Sequence, residues 1–416
     1  MLWFDVTNIW DRKSPVLTGT QRTSIEILRH LVATRDDVKL FRFDRRRGTL
    51  IKVACETFDP DRPRFEPPIH TSPSWALRIA RRLQRAVEGY VAAASGKRRS
   101  AYPSDGAPTQ PLFQEGDVIL SMSTARGHEA YAHAIADNRA REKVGYICLI
   151  YDLIPALFPQ WVKEGAAERF ERWVTRELEA ADLVFTISAY QKSEVIRFMS
   201  GKGIAEKPVD VVYLGDEHLS GATNAVSPKT PPRFPFVLCV AALDARKNHA
   251  ALYQVWRRLA AELGEQCPAL LLIGRRFMLS DDLLYQIARD PLVKDRIIHL
   301  QDVPDEELEW YYRNCLFTTF PSHYEGWGLP VAESLRHGKL CIASNAASIP
   351  EIGGNLVDYF DPVDILSCHT LVRRAIIEGG YRKTREEQIA SCYRPRSWTE
   401  AGERISRRID QMIAES

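Results

Sequence analysis

The sequence predicts an α/β protein made of two doubly wound domains. Short apolar runs alternate with amphipathic helical stretches through the first half, the pattern of repeated strand and helix units. A Gly-, Pro- and Ser-rich segment at 215–235 interrupts the alternation, and a second series of the same kind follows it. A chain of 416 residues is long enough for each half to bury a core of its own.

Strands are expected at Leu2 to Val6, Val38 to Phe43, Val118 to Ser121, Val144 to Ile150 and Leu183 to Ile187, with Val209 to Leu214 closing the first series. The clearest helical patterns between them are Thr23 to Thr34 and Ala166 to Ala180. The second series places strands at Phe236 to Val240, Leu270 to Ile273, Ile297 to Leu300, Leu316 to Phe320 and Leu340 to Ala343. The tail from Tyr393 to Ile413 reads as helical around Trp398. The expected division is 1–214 for the first domain, 215–235 for a linker, 236–392 for the second domain and 393–416 for a terminal helix. In such a pair of domains the ligand belongs in the cleft between them.

Composition narrows the class. Charged residues are 26% and hydrophobic residues 45%, which is globular rather than disordered. A net charge of only +2 argues against a dedicated nucleic-acid binder. Eight cysteines are scattered without close pairs, several of them, such as Cys148 and Cys239, inside apolar runs. They read as reduced core residues of a cytoplasmic protein, not as disulfides or a zinc site. Met1 leads straight into a strand-like run with no signal-peptide pattern, and no apolar stretch reaches the length of a membrane span.

The densest chemistry lies in Pro321-Ser322-His323-Tyr324-Glu325-Gly326-Trp327-Gly328-Leu329-Pro330-Val331-Ala332-Glu333. Pro330 suits the first position of a helix, where a missing N–H costs nothing. The amides around Gly328 and Leu329 would then open a helix N-terminus able to bind an anion such as a diphosphate. Glu333 is expected in the first turn of that helix and Glu325 in the loop before it. Carboxylates accept hydrogen bonds in pairs, which suits the vicinal hydroxyls of a sugar. Two solvated glutamates on a surface helix are the plain alternative.

Glu325 and Glu333 resemble the E-x7-E motif of retaining GT-B glycosyltransferases of the GT4 type, and Tyr324 to Pro330 is close to that family's Tyr-Glu-Gly-Phe-Gly-Leu-Pro. The resemblance covers the second domain from about Val237 to Asp364, and the first in patches. It implies the GT-B fold: two Rossmann-like domains facing across a donor-binding cleft, with the terminal helix crossing back onto the first domain. By the same resemblance Glu325 holds hydroxyls of the donor sugar and Glu333 the ribose.

Arg246-Lys247-Asn248, just after the strand Phe236 to Val240, matches the segment whose cations clamp the donor diphosphate in this family. Two fixed cations there would stabilise the leaving diphosphate. A solvated charge pair is the alternative, but cations at a helix start oppose the macrodipole, so a ligand anion accounts for them better. Gly274, ending the strand Leu270 to Ile273, is similar to the family's strand-to-glycine segment that lies against the nucleotide, or simply ends a strand. Val303, in the loop after Ile297 to Leu300, falls where the family's backbone touches the base.

In the first domain, Thr18-Gly19-Thr20-Gln21-Arg22 resembles the glycine-bearing loop beside the donor phosphates and the acceptor, and also reads as a helix cap. Gly19, Thr20 and Arg22 are the donor-side candidates. Tyr151-Asp152-Leu153-Ile154-Pro155 falls where many relatives have His-Asp-Leu-Ile-Pro. Tyr151 supplies no imidazole, while Asp152 either accepts a hydrogen bond from an acceptor hydroxyl or caps the following turn.

No metal or other cofactor is expected. Asp59-Pro60-Asp61 has a D-x-D form but sits in a proline-rich loop, not after a buried strand. Residues 75–91 form a basic amphipathic pattern, with Arg78, Arg81, Arg82 and Arg85 opposite Leu77, Ile79, Leu83, Val87 and Tyr90; Arg45 to Arg47 and Lys97 to Arg99 add charge nearby. Such a helix either packs on its domain or lies on an anionic membrane surface, here the inner face of the cell membrane.

The resemblance therefore implies a retaining, metal-independent hexosyltransferase. Its partners would be a nucleotide diphosphate sugar, GDP-mannose first, and a saccharide or polyprenyl-linked acceptor of surface polysaccharide synthesis. UDP-glucose, GDP-fucose and rhamnosyl donors remain open. The alternatives are a non-catalytic sugar-nucleotide-binding scaffold, or a GT-B epimerase or phosphorylase; for these last two the sequence offers neither extra acid/base groups nor a pyridoxal lysine.

Overall fold

The computed structural model describes residues 1–10, 18–45, 47–55, 58, 111–122, 129–216, 225–229, 231–232, 235–277 and 280–415. Asp59 and Asp61, the helix expected over 75–91, and Lys97 to Arg99 lie outside the described residues.

Two sheets organise the chain. The first contains β1 (Leu2–Asp5), β2 (Val38–Asp44), β3 (Thr49–Val53), β4 (Val118–Ser121), β5 (Gly145–Ile150), β6 (Leu183–Thr186) and β7 (Val209–Val211), in the order β3-β2-β1-β4-β5-β6-β7. All its pairings are parallel except β2 with β3. The second contains β8 (Phe236–Val240), β9 (Ala269–Ile273), β10 (Ile297–Leu300), β11 (Thr318–Phe320), β12 (Cys341–Ser344) and β13 (Asp358–Phe360), in the order β10-β9-β8-β11-β12-β13, all parallel.

These strands are nearly continuous apolar runs because each sheet is covered on both faces. Along β1, Leu2 and Phe4 enter one core and Trp3 the other. Along β8, Val237 and Cys239 face one layer while Phe236 and Leu238 face the opposite one. In each sheet the chain direction of build-up reverses beside the first strand, between β1 and β4 and between β8 and β11. Those reversals open crevices at the carboxyl ends of the strands, the places where doubly wound sheets bind ligands.

The chain passes between the sheets twice, and the two crossings touch. Asp216 N–H donates to Arg396 O at 3.1 Å, and the Arg396 guanidinium lies 4.2 Å from the Tyr213 ring centre. The last helix, Trp398–Glu415, starts later than the sequence pattern predicts; residues 393–397 are not helical. Trp398, Ala401, Ile405 and Ile409, at helical spacing, join the core of the first sheet with Leu2, Phe4 and Ile25. No helix among the described residues is long and apolar enough to cross a membrane. Among those residues all eight cysteines are free thiols, six buried and Cys55 and Cys392 exposed.

Behind the first sheet lies a buried acidic group. Glu177, on the helix Ala166–Ala180, is 2% exposed and accepts a hydrogen bond from the Tyr146 hydroxyl of β5. Burial pushes its carboxyl up from 4.5 to about 7, against the Tyr146 hydrogen bond, which lowers it, and with added repulsion from Asp5. The folded state thus holds this proton more tightly than the unfolded chain. The stability it contributes is fully present below about pH 4.5 and is lost, on the order of 3 kcal/mol, as pH rises through about 7. Glu177→Gln keeps the neutral form at every pH. Denaturant unfolding of both proteins between about pH 5 and pH 8 is expected to show a wild-type loss of stability that the variant lacks.

Candidate active site

The crevices of the two sheets face each other, and the charged candidates converge where they meet. Arg246 and Lys247 follow β8 on a one-turn 3-10 helix, Ala245–Lys247. Asp244 starts that turn by accepting the Arg246 N–H at 3.0 Å, and Asn248 ends it in the left-handed region at φ 56°. The turn aims both cations at the loop after β11. There Glu325, 6% exposed, accepts Lys247 Nζ at 2.6 Å and Arg246 Nη1 at 2.8 Å. Arg246 Nη1 also donates to Tyr324 O at 2.5 Å, and His323 N–H returns to Arg246 O at 2.8 Å.

Burial pushes the Glu325 carboxyl up, but the charges of Arg246 and Lys247 and the Lys247 hydrogen bond outweigh it and hold it at about 2. Glu325 is a fixed anion at neutral pH. This changes one expectation: a ligand anion accounts for two cations that oppose a helix macrodipole, and the structure also supplies an internal anion, Glu325, from 78 residues away.

Gly328 caps the helix Leu329–Arg336, so Leu329 is its first residue and Pro330 its second. Both positions lack a helical N–H partner, which is why proline fits one place later than expected. Glu333 is correspondingly the fifth residue, not part of the first turn. It accepts the Tyr312 hydroxyl at 2.7 Å and Arg22 Nη1, from the first domain, at 3.3 Å.

Across the cleft, Thr18 caps the helix Gly19–Thr34 in a capping box with Gln21. Gly19 faces Leu329: a Cβ on it would sit 3.5 Å from Leu329 Cδ1. The two helix N-termini therefore oppose each other. The Thr20 carbonyl accepts the Tyr151 hydroxyl at 3.1 Å, and Ser24 Oγ lies 3.4 Å from the same hydroxyl. Tyr151 is 6% exposed within the first core, and burial raises its phenol. It braces the first turn of the helix rather than offering an acid or base to the cleft.

Asp152 accepts the Ile154 N–H at 3.0 Å, so it does cap the turn, while its charge also acts on Arg246. Gly274 and Val303 lie on the two neighbouring strand ends, after β9 and β10. Gly274 has a structural reason of its own: a Cβ would lie 2.0 Å from Ala241 O. Val303 packs against the outer core of the second sheet. Among the described residues no group of three or more His, Cys, Asp or Glu side chains could hold a metal ion.

Several residues at this junction escape sequence reasoning. Trp161 of the first domain stacks on His323 with ring centres 5.9 Å apart and planes at 14°, and Phe158 lies 4.9 Å from Tyr324. Trp327 leaves its own domain and joins the first core. Ser188 and Gln191 bond to the Tyr324–Gly326 segment. A strand followed by Ser188 is a helix-start signal; nothing in the sequence marks its second partner.

Gly326 has no room for a side chain. A Cβ would stand 2.6 Å from Tyr151 O and 3.1 Å from Asp152 Cβ, and backbone at that distance has no rotamer to yield. Gly326→Ala is expected to shift the loop and lower stability by about 1–3 kcal/mol. Urea unfolding of the two proteins checks it.

Residues 223–389 match the family described as glycosyl transferases group 1. A serotype-specific mannosyltransferase WbdA of Escherichia coli is 28% identical over 284 residues, covering 66% of this chain and 34% of that protein. The chain thus spans about a third of the length of the first such relatives. The O-antigen chain mannosyltransferase B of Escherichia coli is 28% identical over 239 residues, 54% of this chain and 60% of the relative. Among solved structures, sucrose-phosphate synthase from Thermosynechococcus elongatus superposes with a TM-score of 0.62 at 18% identity, over 100% and 99% of the two chains. Anabaena HepE in complex with UDP and glucose gives 0.59 at 17%, over 98% and 99%. With two facing Rossmann-like units and these structural matches the chain has the GT-B fold, and its second domain is similar to the group 1 (GT4) glycosyltransferases.

Proposed function

We propose that this chain is a retaining, metal-independent hexosyltransferase, moving mannose from GDP-mannose to a saccharide acceptor of surface polysaccharide assembly. The observation that carries the reading is the Arg246, Lys247 and Glu325 cluster, set at the crevice of the second sheet opposite the Gly19 helix start. Mannose and the polysaccharide context come from the mannosyltransferase relatives. A polyprenyl-linked acceptor at the cytoplasmic face of the membrane is the setting this reading implies.

The residues suit a mechanism of positioning and charge. Departure of the nucleoside diphosphate breaks the bond from the anomeric carbon to the phosphate oxygen and leaves negative charge there. Arg246 and Lys247 are already ordered, so they stabilise that charge without reorganising. Glu325, held ionised by both cations, is a weak base and a weak nucleophile; it suits hydroxyl recognition. The acceptor oxygen would then attack the same face that the phosphate leaves, and its proton would pass to the departing phosphate oxygen. Asp152, near Arg246, is placed on the acceptor side in this reading, and Arg22 with Glu333 on the ribose side.

One observation favours a second reading, a non-catalytic scaffold that binds sugar nucleotides. Tyr151 stands where relatives have histidine, and its hydroxyl is committed to Ser24 and Thr20. Donor binding without turnover would mark that alternative.

Thermal shifts with GDP-, UDP-, dTDP- and ADP-sugars test the donor by mass action. GDP-mannose is expected to raise the melting temperature of the wild type and not that of Lys247→Ala, whose kcat/KM should fall about 100-fold or more. A variant that turns over donor as well as the wild type would remove the diphosphate clamp from this account.

A further inference from the structure

The backbone that presents Glu325 is gripped by both domains. From the second domain, Ser348 Oγ donates to Glu325 O at 2.8 Å and to Trp327 O at 3.2 Å. From the first, Ser188 Oγ donates to Gly326 O at 3.2 Å, and Gln191 Nε2 donates to the Tyr324 hydroxyl at 3.1 Å and to Glu325 O at 3.4 Å. Ser188 and Gln191 belong to the cap and first turn of the helix Ala189–Gly201.

That first turn is in turn tied to the second domain by Glu351, on the short helix Ile349–Gly353. Its two carboxylate oxygens accept the N–H groups of Ala189 and Tyr190, each at 2.7 Å, across more than 160 residues of chain. The first amides of a helix have no partner within it, and the macrodipole favours an anion there, so both terms draw the carboxylate to this spot.

We propose that Glu351 is a positioning residue for the transfer reaction. By pinning the start of Ala189–Gly201 to the second domain it keeps Ser188 and Gln191 on the Tyr324–Gly326 backbone, and so holds Glu325 in register with Arg246 and Lys247. Both of its carboxylate oxygens are committed to those two amides. The inference rests on the proposed role of Glu325, but its first test does not need that role to be right.

Hydrogen exchange on the full chain without ligand compares the wild type with Glu351→Gln and Glu351→Ala. Exchange of the peptide spanning 324–328 is expected to accelerate about tenfold in Glu351→Ala, and less in Glu351→Gln, which keeps one acceptor oxygen. Acceleration confined to the first turn of Ala189–Gly201 would mean that Glu351 is only a local helix cap, and would overturn the proposal. In turnover of GDP-mannose, Glu351→Ala should lower kcat about tenfold while the dissociation constant for GDP stays within about twofold. Gln191→Met, which removes only the amide donors, should give the same split. An unchanged kcat, or loss of GDP affinity in step with kcat, counts against positioning. A wild type inert toward GDP-mannose would overturn the donor assignment alone, leaving the exchange result to decide the role of Glu351.

Discussion

The structure of the cleft depends on one buried carboxylate shared by two cations. Removing three charges from water is costly, and a group of this kind persists only where the geometry is good and the remaining polar atoms are satisfied. Here the turn after β8 supplies the geometry, and backbone supplies a further acceptor for Arg246. Asp244 and the left-handed Asn248 wind the chain after β8 so that Arg246 and Lys247 leave it on the same side. The Tyr324 carbonyl takes the second hydrogen bond of Arg246, and the Arg246 carbonyl holds the amide of His323. The two crevice loops of the second sheet are therefore tied to each other, although 78 residues separate Lys247 from Glu325.

The Glu325 loop is also wedged into the first domain. Gly326 lies against the Tyr151 backbone, and Trp327 is 5% exposed among residues of the first core. Arg396, from the returning crossing, covers the Trp327 ring with its guanidinium 5.6 Å from the ring centre. Deleting a large ring from such a position costs on the order of 3–5 kcal/mol, so Trp327 fastens the domains as much as it lines a site. Any opening of the cleft must carry the Glu325 loop with one side or the other, which makes the site geometry sensitive to domain position.

The fold was legible because burial on both faces leaves a plain record: β4, β8 and β10 coincide with the apolar runs that predict them, and β1, β5 and β9 differ by one residue. The elements that escaped are those with little burial to record. β3 (Thr49–Val53) is an antiparallel edge strand with a mixed pattern, and β13 (Asp358–Phe360) is three residues long. In the site, the cations and glutamates stand out because each group is contiguous in sequence and matches a family motif. Tyr312, Gln191, Ser188 and Glu351 are ordinary residues on ordinary helices, and their meaning comes only from what the fold brings against them. Tyr151 is intermediate: its departure from histidine is visible in sequence, but its use as a brace for Thr20 is not.

The internal ion pairs also bear on what the cations can do. Glu325 is the strongest partner of Arg246 and Lys247; the charge of Asp244 also acts on both and that of Asp152 on Arg246, so the cations are held in place by carboxylates on more than one side. Fixing the cations beforehand removes the reorganisation that free lysine and arginine side chains would need when phosphate charge develops. The same arrangement fixes the limits of Glu325. A carboxyl held near 2 gives up the proton affinity that a general base requires. In the proposed reaction, the field that would receive a diphosphate is also the field that keeps Glu325 from taking the acceptor proton.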